Sequence, residues 1–243
     1  GGWSDLKRTL NDDQVPLFVN KCVELLANAG DGIDFDWEHL STNKGDITQQ
    51  RRVLGKIIPR LRKALDKANM QEKSISYTTR FNAFWSNSDK PEGSGDFVSN
   101  GEGIDIANAV KEEGTTLGDC ITWVNIMMYD VPAKDATGID RETFDLSCYR
   151  LVLSYFKKYL PKDKIIMGFE PGGQVAGGVW EGAEVDKEVI DYLIANKYGG
   201  VYFWAINAPA YGTSKEITGQ NAQGLAGYAK SNYTNDAGSI VQL

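Results

Sequence analysis

The most informative segment of this sequence is an acidic run, DGIDFDWE, that extends from Asp31 to Glu38. In an extended strand, residues two apart share a face, so Asp34, Asp36 and Glu38 point one way and the apolar residues between them point the other. In a barrel strand, the carboxyl face would lie inside. Stacked carboxyls repel one another when ionised, and neighbours at this spacing titrate as a group. The pattern therefore predicts a proton held near neutral pH on the outermost member, Glu38, as a general acid requires.

A metal site and a solvated strand edge are the alternative interpretations of this cluster. The only histidine in the sequence, His39, falls on the opposite strand face from Glu38, and no second carboxylate cluster completes a cage of oxygen ligands. A solvated edge would not carry Ile33, Phe35 and Trp37 on its other face. We therefore predict a catalytic cluster that uses no metal and no cofactor.

Short apolar runs alternate with longer segments of helical period along the chain. The predicted strands are Gly32–Glu38, Ser74–Thr79, Ile121–Tyr129, Lys164–Phe169 and Gly200–Ile206. The predicted helices are Asp12–Asn28, Gln49–Met70, Ile104–Lys111, Thr143–Leu160, Asp186–Lys197 and Asn221–Asn232. This alternation indicates parallel strands joined by crossover helices, as in a doubly wound sheet or a (β/α)8 barrel.

The barrel is the better interpretation of this rhythm. No glycine-rich phosphate loop follows a strand, which weakens the doubly wound alternative. Polar residues instead gather at the strand ends, where a barrel places its active site. They are Glu38, Tyr129 with Asp130, Glu170 and Asn207. We predict an α/β fold, a (β/α)8 TIM barrel with strands 1 and 2 missing from the N-terminus of this chain. Residues 1–243 then form one catalytic domain with strands 3 to 8.

The charge, the apolar runs and the cysteine spacing of the sequence argue against several classes of binding partner. The formal net charge is -7, which argues against a nucleic-acid binder because phosphate neutralisation needs a basic surface. No apolar run approaches the roughly 20 residues that a membrane-spanning helix needs. The three cysteines contain no CxxC pair, so the sequence has no obvious zinc or redox motif. We predict neither a nucleic-acid partner nor a membrane partner.

The acidic run matches, position for position, the DxxDxDxE signature of family 18 glycoside hydrolases, the chitinase family. Three further segments resemble that family's motifs: Gly1-Gly2 the end of SxGG on strand 3, Met127-Met128-Tyr129-Asp130 the M-x-Y-D of strand 6, and Trp204 the tryptophan of strand 8. By this resemblance, the strands recognisable in the sequence correspond to strands 3 to 8 of the family's barrel. It implies a secreted, extracellular, monomeric chitinase that binds chitin or N-acetylglucosamine oligosaccharides and cuts their β-1,4 bonds.

The resemblance also implies a retaining, substrate-assisted mechanism. Glu38 would protonate the leaving oxygen while the 2-acetamido carbonyl of the sugar attacks its own anomeric carbon. Asp36 would accept a hydrogen bond from the acetamido N–H, Asp34 would share a proton with Asp36, and Tyr129 would donate its hydroxyl to the acetamido group.

The remaining motif residues would bind substrate or support the motif. Asp130 would help to hold the distorted sugar, Trp204 would form the hydrophobic floor beneath it, and Met127 shares the strand face of Tyr129. Asp31, like the glycines of the first motif, would be structural.

Two segments have less specific patterns. Glu170 and Gln174, in the GFEPGGQ turn, are candidate sugar-contacting loop residues, and the stretch Asn82–Trp85 is another candidate subsite. A two-carboxylate glycosidase that pairs Glu38 with Glu170 is a second candidate function, which the strand parity of Glu170 opposes. The sequence is also compatible with an endo-β-N-acetylglucosaminidase acting on N-glycans and with a catalytically inactive chitin-binding lectin.

Overall fold

The strands of the predicted α/β fold are present in the computed structural model, which describes residues 10–36, 44–86, 88–207 and 218–236. They are β1 (Gly32–Asp36), β2 (Ser74–Arg80), β3 (Trp123–Met127), β4 (Ile165–Phe169) and β5 (Gly200–Phe203). These strands form one sheet whose order follows the chain, with β1 and β2, and β4 and β5, paired in parallel. The predicted fold class is confirmed, and β1 to β5 are the segments predicted as strands 4 to 8.

Eight α-helices lie between the strands or beside them within the described ranges. They are α1 (Val15–Asn28), α2 (Lys44–Lys67), α3 (Glu102–Glu112), α4 (Leu117–Cys120), α5 (Ala133–Thr137), α6 (Leu146–Phe156), α7 (Ala183–Ala195) and α8 (Thr218–Asp236). The six long helices overlap the six predicted ones. Helices α4 and α5 span only four and five residues, too few to display a hydrophobic period.

Strand β3 is shorter than the predicted segment Ile121–Tyr129 at both ends. Ile121 donates its backbone N–H to the Leu117 carbonyl and so caps α4. At the other end, Asp130 adopts a left-handed backbone conformation with φ of 61°, which turns the chain out of the strand direction.

The chain divides into two compact units. The first, here called the N-terminal unit, comprises residues 1–88 and 97–124, and the second, the C-terminal unit, comprises residues 89–96 and 125–243. The prediction of one catalytic domain over residues 1–243 stays a prediction.

Helix α2 supplies much of the core of the N-terminal unit, where it contacts α1 and α3. One face of this helix is buried through Val53, Leu54, Ile57, Ile58, Leu61 and Leu65. Arg51, in the N-terminal half of the helix, pairs with Asp105 of α3 at 2.6 Å and donates to the backbone carbonyls of Val98 and Asn100. These bonds tie α2 to α3 and to the loop that precedes α3.

A buried acid lies at the first position of α3. Glu102 accepts hydrogen bonds from the Tyr77 hydroxyl and, at 3.0 Å, from the Thr79 hydroxyl, both on β2. Burial raises the pKa of Glu102 to about 6, although its hydroxyl donors and the charge of Arg51 act in the opposite direction. Two hydroxyl groups of β2 therefore provide hydrogen bonds to the buried carboxyl group at the start of α3.

The stretch Asn82–Trp85, predicted as a candidate sugar subsite, is buried in the N-terminal unit. The Asn82 side chain donates to Asn100 and accepts from the Ser99 hydroxyl, while the Trp85 ring packs edge-on against Phe81 at 5.5 Å. Since a sugar ring cannot reach these side chains, the subsite prediction is wrong. The run of aromatic residues serves the core instead.

Strand β4 is buried along its whole length in the C-terminal unit. Gly168 in this strand leaves the space that the Tyr202 ring of β5 occupies. A Cβ at position 168 would lie 2.4 Å from Tyr202 Cζ and 2.6 Å from the Ile126 carbonyl oxygen. The glycine thus fixes where the Tyr202 ring can pack.

We expect Gly168→Ala to destabilise the protein by about 1–3 kcal/mol, because the added methyl must displace a ring and a backbone carbonyl. The matched control is Gly224→Ala in α8, where no atom lies within 4 Å of the new Cβ. That change should stabilise the protein by up to about 1 kcal/mol through helix propensity. Urea unfolding of both variants measures the difference, and equal free energies of unfolding would contradict the packing role of Gly168.

Candidate active site

Residues Gly32–Asp36 of the acidic run form strand β1, and the pleat separates polar from apolar side chains as predicted. Phe35 is buried and its ring lies 6.4 Å from the Phe18 ring of α1. Asp34 and Asp36, on the opposite face, are exposed. The alternation that the sequence pattern predicts is therefore confirmed for residues 34 to 36.

Asp34 and Asp36, the two described members of the carboxyl stack, are exposed, and the predicted enclosure of this face stays a prediction. Strand β1 is the edge strand of the described sheet, so no described strand covers its outer side. Solvent reaches Asp34 and Asp36 there. Water can thus supply part of the solvation that an enclosed carboxyl would have to obtain from neighbouring groups.

Two hydroxyl groups of β2 orient the Asp34 carboxylate. In the parallel register, Asp34 lies beside Ser76 and Asp36 beside Thr78. The Ser76 hydroxyl donates to Asp34 Oδ1 at 2.5 Å, and the Thr78 hydroxyl contacts Oδ1 at 3.0 Å and Oδ2 at 2.8 Å. Sequence reasoning missed both donors, although the alternation along β2 places them on one face. They hold Asp34 in a fixed orientation next to Asp36.

Several motif residues have little or no described side-chain environment. Glu38 and the glycines Gly1 and Gly2 lie outside the described residues, so their roles stay predictions. Asp31 is exposed, and its carbonyl accepts the Ser74 N–H at 2.9 Å where the pairing of β1 and β2 begins. That backbone contact is compatible with a structural role for Asp31.

In the C-terminal unit, the segment predicted as the M-x-Y-D motif follows β3. Met127 ends the strand and is buried, and so is Tyr129 two residues later. The Tyr129 hydroxyl lies 3.1 Å from the Tyr202 hydroxyl, and the two rings meet edge to face with centroids 6.4 Å apart. Sequence reasoning missed Tyr202, although it lies two residues before Trp204 in the predicted strand and so shares its parity.

Asp130 and Gln174 are joined by a set of backbone and side-chain hydrogen bonds. The Asp130 N–H donates to Gln174 Oε1 at 2.9 Å, and Asp130 Oδ1 accepts the Ala176 N–H at 2.7 Å. Gln174 Nε2 donates to the Glu170 carbonyl at 2.6 Å. Because both ends of the Gln174 amide bind backbone groups, the structure gives this side chain a bracing role within the loop. Its predicted sugar contact stays a prediction.

Glu170, predicted as a sugar-contacting loop residue, is only 2% exposed. No donor among the described residues lies within hydrogen-bonding geometry of either carboxyl oxygen. Burial, and then the adjacent Asp130 carboxyl, raise the pKa of Glu170 to about 9. The accessible contact that we predicted is therefore wrong, because the chain turns at Gly172 and the Gln174 amide bonds back to residue 170. A neutral acid lies beneath this loop at pH 7.

Trp204 follows β5 and presents an exposed indole, as its predicted role requires. The side chain and backbone together are 51% exposed, while the Trp204 N–H donates to the Phe169 carbonyl at 2.9 Å. The peptide bond between Trp204 and Ala205 is cis. An exposed aromatic ring anchored to the end of β4 can stack on the apolar face of a sugar ring.

The far end of the loop after β4 contains a second pair of neighbouring acids, the half-buried Glu181 and the buried Asp186, that sequence reasoning missed. The Tyr149 hydroxyl donates to Glu181, and Trp180 Nε1 donates to Asp186 Oδ2 at 2.9 Å. Burial, and then the charge of Glu181, raise the pKa of Asp186 to about 9. Since these residues adjoin the start of α7, they fix the loop where the helix begins.

The described residues contain no group of three or more His, Cys, Asp or Glu side chains that could hold a metal ion. All three cysteines are buried free thiols. None of the described helices has both the length and the apolar character needed to cross a membrane.

Comparison with known proteins identifies the fold. No family model matches the chain, and no curated protein matches it. A family 18 (GH18) chitinase from Cycas revoluta in complex with (GlcNAc)3 is similar in structure, with a TM-score of 0.60, 14% identity, and coverage of 96% of this chain and 78% of that one. The ChiA C-terminal domain of Legionella pneumophila gives a TM-score of 0.58 and 15% identity over 94% of this chain and 72% of that one.

The catalytic domain of a hyperthermophilic chitinase from Pyrococcus furiosus is similar as well. It gives a TM-score of 0.57 and 15% identity over 90% of this chain and 67% of that one. These neighbours agree with the resemblance that the acidic signature carries. The chain therefore has the fold of family 18 chitinases.

Proposed function

We propose that this protein is a chitinase that hydrolyses β-1,4 linkages between N-acetylglucosamine units by a retaining, substrate-assisted mechanism. The observation that carries the proposal is the DxxDxDxE pattern of the sequence, of which Asp34 and Asp36 share an accessible face of β1. The hydroxyl bonds from β2 to Asp34 support it, because they orient a carboxylate beside the residue assigned to the acetamido group.

In this mechanism, Glu38 donates a proton to the leaving glycosidic oxygen as the bond to the anomeric carbon breaks. The 2-acetamido carbonyl oxygen of the same sugar forms the new bond to that carbon, giving an oxazolinium ion. Asp36 accepts a hydrogen bond from the acetamido N–H and stabilises the developing positive charge. Glu38 then takes a proton from the water that opens the ring, which restores the acid and retains the anomeric configuration.

The resemblance assigns the remaining contacts to Tyr129, Trp204 and Asp130. Tyr129 donates its hydroxyl to the acetamido group, and the Tyr202 hydroxyl at 3.1 Å fixes the direction of that phenol. Trp204 offers its exposed ring to the sugar, and Asp130 is held by backbone bonds as an acceptor for sugar hydroxyls. Each of these groups follows the carboxyl end of a strand, where barrel enzymes bind substrate.

The substrate class follows from the nucleophile, because a sugar without an N-acetyl group cannot form the oxazolinium ion. The similar Cycas revoluta chitinase was solved with (GlcNAc)3, which is consistent with oligosaccharides of N-acetylglucosamine as ligands here. We further propose that the protein acts outside the cell as a monomer.

The intact protein should hydrolyse N-acetylglucosamine oligomers, and a thiazoline mimic of the oxazolinium ion should inhibit it competitively. The matched control is the deacetylated oligomer of the same length, which should not be cleaved because it lacks the internal nucleophile. Chromatography of the products provides the measurement. Cleavage of the deacetylated oligomer, or absence of inhibition, would point to an enzymic nucleophile, whereas preferential release of N-glycans would favour an endo-β-N-acetylglucosaminidase.

Glu38→Gln should abolish turnover and leave oligosaccharide binding nearly unchanged, since only proton donation is lost. General acid catalysis contributes about 10²–10⁴-fold, so less than about a hundredth of the wild-type kcat should remain. Steady-state kinetics and calorimetric titration with the oligomer measure the two effects. Residual activity above that level would exclude Glu38 as the acid, and binding without turnover by the wild-type protein would favour a chitin-binding lectin.

Tyr129→Phe should lower kcat by roughly 10–100-fold, because it removes a hydrogen bond to the group that becomes charged. Tyr202→Phe is the matched control, since it removes the other hydroxyl of the pair and keeps the rings. That variant should lose only about threefold, the cost of a less well-oriented phenol. If both variants lost kcat equally, the assignment of Tyr129 as the donor to the substrate would be wrong.

A further inference from the structure

The loop after β4 covers a carboxyl group to which the proposed mechanism assigns no task. We propose that Glu170 is a positioning residue: as a neutral acid, it donates a hydrogen bond to the Asp130 carboxylate and holds that carboxylate as an acceptor for the sugar. The inference rests on the proposed function, because it concerns the same sugar-binding site.

Asp130 is held by hydrogen bonds to the loop after β4. Asp130 Oδ1 accepts the Ala176 N–H, and the Asp130 N–H is bound by Gln174, which in turn binds the backbone carbonyl of Glu170. Glu170 is 2% exposed, neither of its carboxyl oxygens has a partner within hydrogen-bond geometry among the described residues, and the Asp130 carboxyl is close enough to raise its pKa. Two ionised carboxylates could only repel each other here, whereas one proton converts the contact into a hydrogen bond.

The charges near Glu170 favour that proton. Burial is the largest cause of its raised pKa of about 9, and the Asp130 carboxyl adds to it from the end of β3. Within its own loop, the Val175 N–H acts in the opposite direction and lowers the pKa, as the smallest of the four causes. No lysine or arginine among the described residues contributes to it, and the hydroxyls of Tyr129 and Tyr202 face each other. Glu170 therefore keeps its proton at neutral pH.

Because Glu170 is protonated, it is also unsuited to act as the nucleophile. A carboxyl must be ionised to attack an anomeric carbon, and a retaining two-carboxylate enzyme needs both groups accessible to the sugar. Glu170 is neutral near pH 7 and lies beneath the loop. The geometry thus assigns it to support Asp130, which is half-buried and can reach a ligand.

The test compares two substitutions of Glu170 with one at the other buried acid. Glu170→Gln keeps the shape and an N–H donor for Asp130, whereas Glu170→Met keeps the volume and removes the donor. At pH 7, kcat/KM for an N-acetylglucosamine oligomer should stay within about threefold for Glu170→Gln and fall by roughly tenfold or more for Glu170→Met. Circular dichroism at each pH establishes that both variants are folded.

The pH profile supplies a readout that a merely structural role would not change. The ratio of wild-type to Glu170→Gln kcat/KM should be constant at low pH and fall about tenfold per pH unit above about pH 9, as Glu170 ionises. Any limb due to Glu38 is common to both proteins and cancels in this ratio. Asp186→Asn is the matched control: its ratio to wild type should stay flat, since Asp186 lies at the other end of the loop.

A flat ratio for Glu170→Gln, or equal activity of the Met and Gln variants, would overturn the positioning role. Failure of the proposed function looks different, because the wild-type protein would then lack turnover at every pH. Thermal unfolding still tests the shared proton in that case. The difference in Tm between the wild type and Glu170→Gln should change between pH 5 and 9. The same difference, measured between Asp130→Asn and the double variant with Glu170→Gln, should change less over this range. An unchanged difference would overturn the inference.

Discussion

Removing an ionised carboxyl group from water is costly unless a donor or a proton accompanies it. The acidic residues of this protein meet that constraint in two ways. Asp34, which remains accessible, receives hydroxyl donors from Ser76 and Thr78 on the neighbouring strand. Glu170 and Asp186 are buried beside another carboxyl, and for them the pKa rises to about 9. The first solution leaves a carboxylate available for chemistry, and the second yields neutral acids that brace a loop.

The parts of the fold that the sequence predicts are those that depend on local periodicity. The apolar runs placed all five described strands, and the six long helices overlap their predicted positions. The pleat of β1 followed from residue parity alone, since Phe35 is buried between two exposed aspartates. Parity also put Tyr202 and Trp204 on one strand face, so the missed partner of Tyr129 had a signal that could have been used.

The contacts that the sequence could not predict join residues that are far apart along the chain. Asp130 and Gln174 are 44 residues apart, and Tyr129 and Tyr202 are 73 apart. Burial depends on the same packing of distant elements: Trp85, which lies in a predicted sugar subsite, is in the core. Residue type fixes what a side chain can do, but the packing of distant elements decides whether it meets solvent.

The buried acids give the protein a dependence on pH that runs in the same direction as its proposed chemistry. A carboxyl whose folded-state pKa is about 9 binds a proton that the unfolded chain, with a pKa near 4, has already lost. The folded state therefore binds more protons across this window, so the free energy of unfolding falls as pH rises through it and levels off above about pH 9. Glu38, as a general acid, also works only while protonated. A rise in pH thus removes protons from the proposed acid and, near pH 9, from the buried acids of the loop after β4, so the proposed catalysis and the local stability both weaken as the pH rises.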